Sequence, residues 1–336
     1  MSGTDVHFFS FAPEESIVGH EGPLWTPWAI QWWVTLFGIA TFNIAMYAAL
    51  TFCYYSSFST NVTLKAYQQF MQATCGVYVF VCAYRSYMPA QYPLRYVWFD
   101  TPLSSILLVR SLAAVAEMCF IAQIARALSF IENQVNETNQ SWGNCWHLVC
   151  QAAAHAMVII IFLAQCFSFA GTITKSNKWY AFEEFNWGLA FAVGMPFFMV
   201  LSYQVFQLRR EAKTPWTCSC NAMVYAVGMS AFCIGYVPYM FITDAPEYWQ
   251  RYQDQLAEGF EFLSFWDGVK DAAFTRHHTH LEEVWEYATV WQTAYFSGAV
   301  WISLLLALAP KLEVTNTFKT LLGQEARAAA PDVEMK

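Results

Sequence analysis

Charge is what this sequence has least of. Of its 336 residues only 12% are Asp, Glu, Lys or Arg, about half the share of an ordinary soluble domain. So few ionised side chains cannot cover a water-facing globule or sustain a disordered chain, and both are excluded for the body of the protein. Basic residues are the scarcer sign, 17 against 25 acids, for a net charge of −8. They form no patch interleaved with aromatics, so nucleic-acid binding has no support. Residues 1–28 contain Asp5, Glu14, Glu15 and Glu21 but no Lys or Arg. The basic region of a secretory signal and the Arg-rich face of a transit peptide are both missing, so neither is expected. No internal repeat is visible. Of the ten cysteines, Cys75, Cys82, Cys119, Cys150, Cys166 and Cys233 lie in apolar runs. There a thiol acts as a small hydrophobe, and no disulfide framework is implied.

What is abundant is apolar surface: 57% hydrophobic residues, with 15 Trp, 18 Tyr and 29 Phe. A helix that crosses about 30 Å of hydrocarbon at about 1.5 Å per residue needs about 20 apolar residues. Charge-free stretches of that length occur at 29–52, 66–84, 148–170, 185–208, 223–242 and 287–309, and an equally long seventh at 103–130 carries Arg110, Glu117 and Arg126. Tryptophans and tyrosines gather near the ends, at Trp25, Trp28, Trp32, Trp33, Tyr54, Tyr55, Tyr84, Trp98, Trp187 and Trp285, as expected of side chains at headgroup level. The pattern predicts an all-α integral membrane protein, a seven-transmembrane-helix bundle. It divides into an acidic segment 1–28, a membrane domain 29–310 and a partly disordered tail 311–336. In the 243–286 loop, Phe260, Leu263, Trp266 and Lys270 follow helical spacing and predict a short amphipathic surface helix. That loop also holds ten of the 25 acids.

Seven spans place the termini on opposite sides. Seven basic residues (Arg85, Arg95, Lys175, Lys178, Arg251, Lys270, Arg276) share a side with the amino terminus, and nine (Lys65, Arg126, Arg209, Arg210, Lys213, Lys311, Lys319, Arg327, Lys336) lie opposite. With the acidic leader, this bias predicts the amino terminus extracytoplasmic and the carboxyl terminus cytoplasmic. The sequons at Asn61, Asn136 and Asn139 then face inward and stay unglycosylated, and Cys218 and Cys220 form a juxtamembrane pair open to palmitoylation or left as plain thiols.

Ionisable groups at membrane depth cost about 2.5 to 3.5 kcal/mol each on insertion scales and face the bundle interior. Arg110 and Glu117 are two helical turns apart on one face, about 10 Å along the axis, with Ala113, Ala114 and Ala116 between them. Glu117 is a candidate for acid-base or proton chemistry, or else a structural partner of Arg110. Gln151 and His155 share a face of the fourth span, and in an antiparallel hairpin His155 comes to the depth of Glu117. The structural alternative is a histidine bonded to a backbone carbonyl. Of Glu183 and Glu184, about 100° apart, one faces inward, or both only complement the helix dipole. Gln292 and Tyr295 lie in the same half of the seventh span. The expected site comprises Glu117 and His155 for chemistry, with Arg110, Gln151, Glu184, Gln292 and Tyr295 for binding.

Several sharper readings fail on particular residues. A retinal protein needs a lysine within its last span, where only Lys311, at the end, is near. A G-protein-coupled receptor needs an acidic-Arg-aromatic triplet and an N-P-x-x-Y run, where Ala125-Arg126-Ala127 and Ser297-Gly298-Ala299-Val300-Trp301 stand. Bis-His haem lacks a second histidine at the depth of His155. The His277-His278-Thr279-His280 cluster has no carboxylate at ligand spacing, so no metal site is expected and no cofactor is assigned. Gly194-Met195-Pro196 and Gly235 to Pro238 look like helix breaks. The expected function is the handling of a small apolar or amphiphilic molecule in an aromatic-walled cavity containing Arg110 and Glu117, by binding or acid-base chemistry. The alternatives are a proton- or ion-coupled transporter or channel, and a receptor or structural subunit. The expected partners are membrane lipids, an apolar small molecule, and a second copy or another subunit of a membrane complex.

Overall fold

A computed structural model describes residues 25–55, 59, 61–138, 143–211 and 221–312. Cys218, Cys220, Asn139, residues 1–24 of the acidic leader and residues 313–336 of the carboxyl-terminal tail lie outside the described residues. The chain runs as α1 (Pro27–Tyr55), α2 (Val62–Tyr87), a short hairpin β1 (Ala90–Gln91) and β2 (Tyr96–Val97), α3 (Ile106–Thr138), α4 (Gly143–Thr174) and α5 (Asn177–Glu211). There follow α6 (Asn221–Tyr239), a π-helical turn (Met240–Asp244), α7 (Ala245–Ala257), α8 (Phe265–Phe274) and β3 (His277–His278). The last helix is α9 (Glu282–Ala294), a second π turn (Tyr295–Ala299) and α10 (Val300–Ala307).

Six stretches are long and apolar enough to cross a membrane: Pro27–Cys53, Ile106–Thr138, Gly143–Thr174, Asn177–Arg210, Ala222–Ala257 and Ala288–Ala307. This is an all-α, multi-pass membrane bundle. Helix α2, read above as a seventh span, is 26 residues long but outside that set. Lys65, Gln68, Gln69, Gln72 and Arg85 dilute its apolar character, and Gln68, Gln72 and Arg85 point into the bundle. Successive helices pack as antiparallel neighbours, and α10 returns to α1, α2 and α3 to close the ring. Helix α3 is the central post. Its apolar window is 56% buried, the most of the six, against 17% for α1, which turns Phe37, Phe42 and Phe52 outward.

Three boundary expectations are revised. Proline 196 does not break α5, which runs unbroken over 35 residues. The sixth span continues past residue 242 through its π turn into α7, so the first third of the expected 243–286 loop is helix. The helix in the rest of that loop begins at Phe265. Trp266 and Lys270 are in it, whereas Phe260 and Leu263 precede it. Its start is set by Ser264, whose side chain accepts from the Asp267 backbone N–H, as an N-cap does.

One end of the bundle is roofed by loops. β1 pairs antiparallel with β2, and β2 pairs parallel with β3, which ties the 88–105 connection to the 275–281 connection. Arg95, fully buried, bonds Asp271 Oδ2 at 2.7 Å, the Tyr92 carbonyl at 2.6 Å and the Thr172 carbonyl at 2.6 Å. This cross-link joins the roof to α8 and to the end of α4. Helix α8 lies so close to α4 that a Cβ at Gly268 would overlap the Ile173 carbonyl. The end-of-span tryptophans are not simply a headgroup belt. Trp32, Trp98 and Trp285 are buried together, ring centroids 5.0 to 5.4 Å apart, and His280 Nε2 donates to the Trp98 carbonyl at 2.9 Å.

Candidate functional site

Beneath this roof, four oppositely charged side chains meet inside the bundle. Glu117 of α3 takes Arg110 Nη2 at 3.2 Å on one oxygen and faces Arg85 Nη1 at 3.8 Å on the other; Arg110 Nη2 also reaches Glu183 Oε1 at 3.5 Å. All four are buried: 5% exposed at Arg85, 2% at Arg110, 6% at Glu117 and 6% at Glu183. Two cations against two anions leave the cluster neutral, the condition under which such groups persist at membrane depth. The two-turn separation of Arg110 and Glu117 is bridged because Glu117 leans toward the amino-terminal end of its helix. The long Arg110 stem spans the remainder, over the small Ala113 and Ala114.

Polar and aromatic groups complete the surroundings. The Gln165 side-chain carbonyl oxygen accepts from Arg110 Nη2, the buried Ser168 hydroxyl has no hydrogen-bond partner, and the Tyr295 hydroxyl donates to Glu117 Oε1 at 3.4 Å. The Arg85 guanidinium lies 5.4 Å from the Tyr295 ring, 5.3 Å from the Phe296 ring and 5.8 Å from the Tyr92 ring; Arg110 lies 5.8 Å from that same Tyr92 ring. Rings over cations add favourable electrostatics where solvent is excluded. Tyr78 stacks on Phe120 at 4.8 Å and Trp291 on Tyr295 at 5.0 Å. Tyr92 is in the roof, where burial pushes its phenol up, against the opposing pull of Arg85 and Arg110, so it stays a neutral donor.

Of the residues expected from sequence, Arg110, Glu117 and Tyr295 come together. Glu183, not Glu184, turns inward to Arg110. Glu184 is partly buried and shares a hydrogen bond with Asp244 at the end of the π turn. Gln292 is buried one turn before Tyr295 with its carbonyl oxygen unpartnered; no hydrogen bond joins it to the four charges. His155 does not meet Glu117: it is exposed on the outer face of α4, its Nδ1 2.7 Å from the Gln151 carbonyl. The rotation of α4 about its axis, invisible in residue spacing, turns Gln165 and Ser168 inward and His155 out.

Gln151 belongs to a second polar cluster at the opposite end of α3 and α4. Its amide donates to the Ser129 carbonyl at 3.2 Å, Glu132 Oε2 at 3.3 Å and Asn133 Oδ1 at 3.0 Å, and Glu132 also pairs with His147. Sequence reasoning missed Arg85, counted as a loop residue, although it closes the last turn of α2. An arginine one turn inside the end of an amphipathic helix was the available signal. Neither π turn left a sequence signal, yet Tyr295 begins one and Asp244 ends the other. Among the described residues no group of three or more His, Cys, Asp and Glu is placed to hold a metal ion, and Cys75, Cys82, Cys119, Cys145, Cys150, Cys166 and Cys233 are in no disulfide. Comparison with family models, with curated proteins and with solved structures finds no match to this chain.

Proposed function

We propose that this chain is a seven-span membrane protein that binds a small amphiphilic molecule in the roofed half of its bundle, with the polar end at Arg85, Arg110, Glu117 and Glu183. The observation that carries the reading is the coincidence, inside one bundle, of this buried charge cluster with the aromatic wall of Tyr78, Phe120, Tyr295 and Phe296. Purely structural ion pairs need only neutralise each other. Here the cluster draws on α2, α3, α4, α5 and the last helix at once, and it lies where a π turn reshapes the helix that faces it. Such turns are frequent at functional sites, and a concave apolar wall with a few convergent polar groups is how small-molecule sites are generally built. In this reading α2 is the seventh span, its polar face turned to the site, and residues 29–310 form a single membrane domain. Arg110 and Arg85 orient the polar head, Glu117 holds both cations in place, and Tyr295 positions Glu117. Native mass spectrometry of protein purified in mild detergent tests the reading. A bound amphiphile is expected on the wild type, and a bare chain that also takes up none of a panel of amphiphiles would contradict it.

A further inference from the structure

The hydrogen-bond inventory of the charge cluster is lopsided. Arg85 Nη1, Arg110 Nε, Gln165 Nε2 and the Tyr92 hydroxyl are all buried with no hydrogen-bond partner. Every one of them has a proton to donate. Arg85, Arg110 and Gln165 are each at most 5% exposed, so solvent does not reach them from outside. They also belong together: both guanidiniums face the Tyr92 ring at 5.8 Å, both bracket the Glu117 carboxyl, and Gln165 is bonded to Arg110. A buried donor left unmatched costs about 1–3 kcal/mol, more when it is charged. Four in one place outnumber the unpartnered oxygens of the same half of the bundle, Gln292 Oε1 and the hydroxyls of Ser168 and Tyr78, and describe a seat for an oxygen-rich acceptor.

The charge sum narrows the occupant. Glu117 and Glu183 already compensate Arg85 and Arg110, so every negative charge that an occupant brings is uncompensated, and a doubly charged head is disfavoured more than a singly charged one. A singly charged, planar oxyanion matches the fork of guanidinium N–H groups. We propose that Arg85, Arg110, Gln165 and Tyr92 form an intramembrane seat for a carboxylate, the head of the amphiphile that the bundle binds. The seat rests on the reading of the bundle as an amphiphile-binding protein and names the chemistry of its ligand.

The test is isothermal titration of the full chain in a non-ionic detergent with three probes: decanoate, decanol and propionate. Decanoate is expected to bind at least tenfold tighter than decanol, and Arg85→Gln is expected to reduce that preference to less than threefold. A second variant guards against misfolding of the first. Gln165→Glu places the protein's own carboxylate against Arg110, so it is expected to exclude decanoate from a chain whose circular dichroism shows that it still folds. Propionate binding as tightly as decanoate would keep the seat and assign it to a free carboxylate, whereas weaker propionate binding assigns it to an amphiphile. Equal binding of decanol and decanoate, or an unchanged preference in both variants, overturns the carboxylate seat and leaves amphiphile binding standing. No binding of any probe overturns both.

Discussion

The account is most exposed to test at the single residue. Each of the four buried charges is held by its neighbours, so removing one leaves another uncompensated in a region of low dielectric. Glu117→Gln is expected to destabilise the protein by about 3 kcal/mol, within the range for breaking a buried pair. Arg110→Gln is expected to cost a similar amount by stranding Glu117 and Glu183. The double variant should cost less than the sum by about 1–3 kcal/mol, because the second change removes the charge that the first left unpaired. Thermal or denaturant unfolding of the three variants in detergent measures this; strict additivity would mean that the two side chains do not interact. At this scale the sequence was half legible. An Arg and a Glu two turns apart in an otherwise apolar span announce themselves, because the membrane makes any ionised group conspicuous. Which of Glu183 and Glu184 turns inward, and whether His155 does, depends on helix rotation. That rotation is fixed by packing partners such as Tyr180 against Gly171, contacts that no spacing rule contains.

At the scale of elements, the roof is the feature least predictable from hydropathy and the most dependent on one residue. Arg95 makes three hydrogen bonds to three separate segments, and one of its partners, Asp271, is a titratable group outside the membrane. Burial pushes the Asp271 carboxyl up, but the hydrogen bonds from Arg95 and Thr275 and the charges of Arg95 and Lys175 outweigh it and hold the group below its usual value. A carboxyl depressed in the folded state stabilises the fold fully above its unfolded pKa, and that contribution is lost as pH falls through the folded value. The attachment of the roof is therefore expected to be constant near neutrality and to weaken under acid conditions below the ordinary carboxylate range. Hydrogen exchange over 88–105 and 265–278 should accelerate there, with the membrane helices unaffected. Asp271→Asn should show the faster exchange already at neutral pH and lose the acid dependence. Exchange in these segments that is independent of pH in the wild type would refute the assigned role. The helices themselves were legible, since charge-free length is a direct physical requirement of the bilayer. The π turns were not, because the residues that form them, Met240–Asp244 and Tyr295–Ala299, carry no pattern that sets them apart from an ordinary helical turn.

At the scale of the whole molecule, the question is how the helices stand relative to the membrane. Helix α2 falls short of the apolarity of the other six, yet it lies between α1 and α3 and turns Gln68, Gln72 and Arg85 inward. A span whose polar face is buried in protein needs apolar residues only on its lipid side. Single cysteines at Lys65 and Leu103, in a cysteine-free background, are expected to react with a membrane-impermeant maleimide from opposite sides of sealed vesicles. Labelling from one side would make α2 re-entrant and reduce the bundle to six spans. The same arrangement places the charge cluster toward one end of the bundle, next to Tyr92 of the roof. Native mass spectrometry of the wild type beside Arg110→Ala, both purified in the same mild detergent, tests that central claim most directly. The account predicts an amphiphile on the wild type that is absent from the variant while both remain folded. Two bare proteins that bind nothing offered to them, or a ligand retained equally by both, would contradict it.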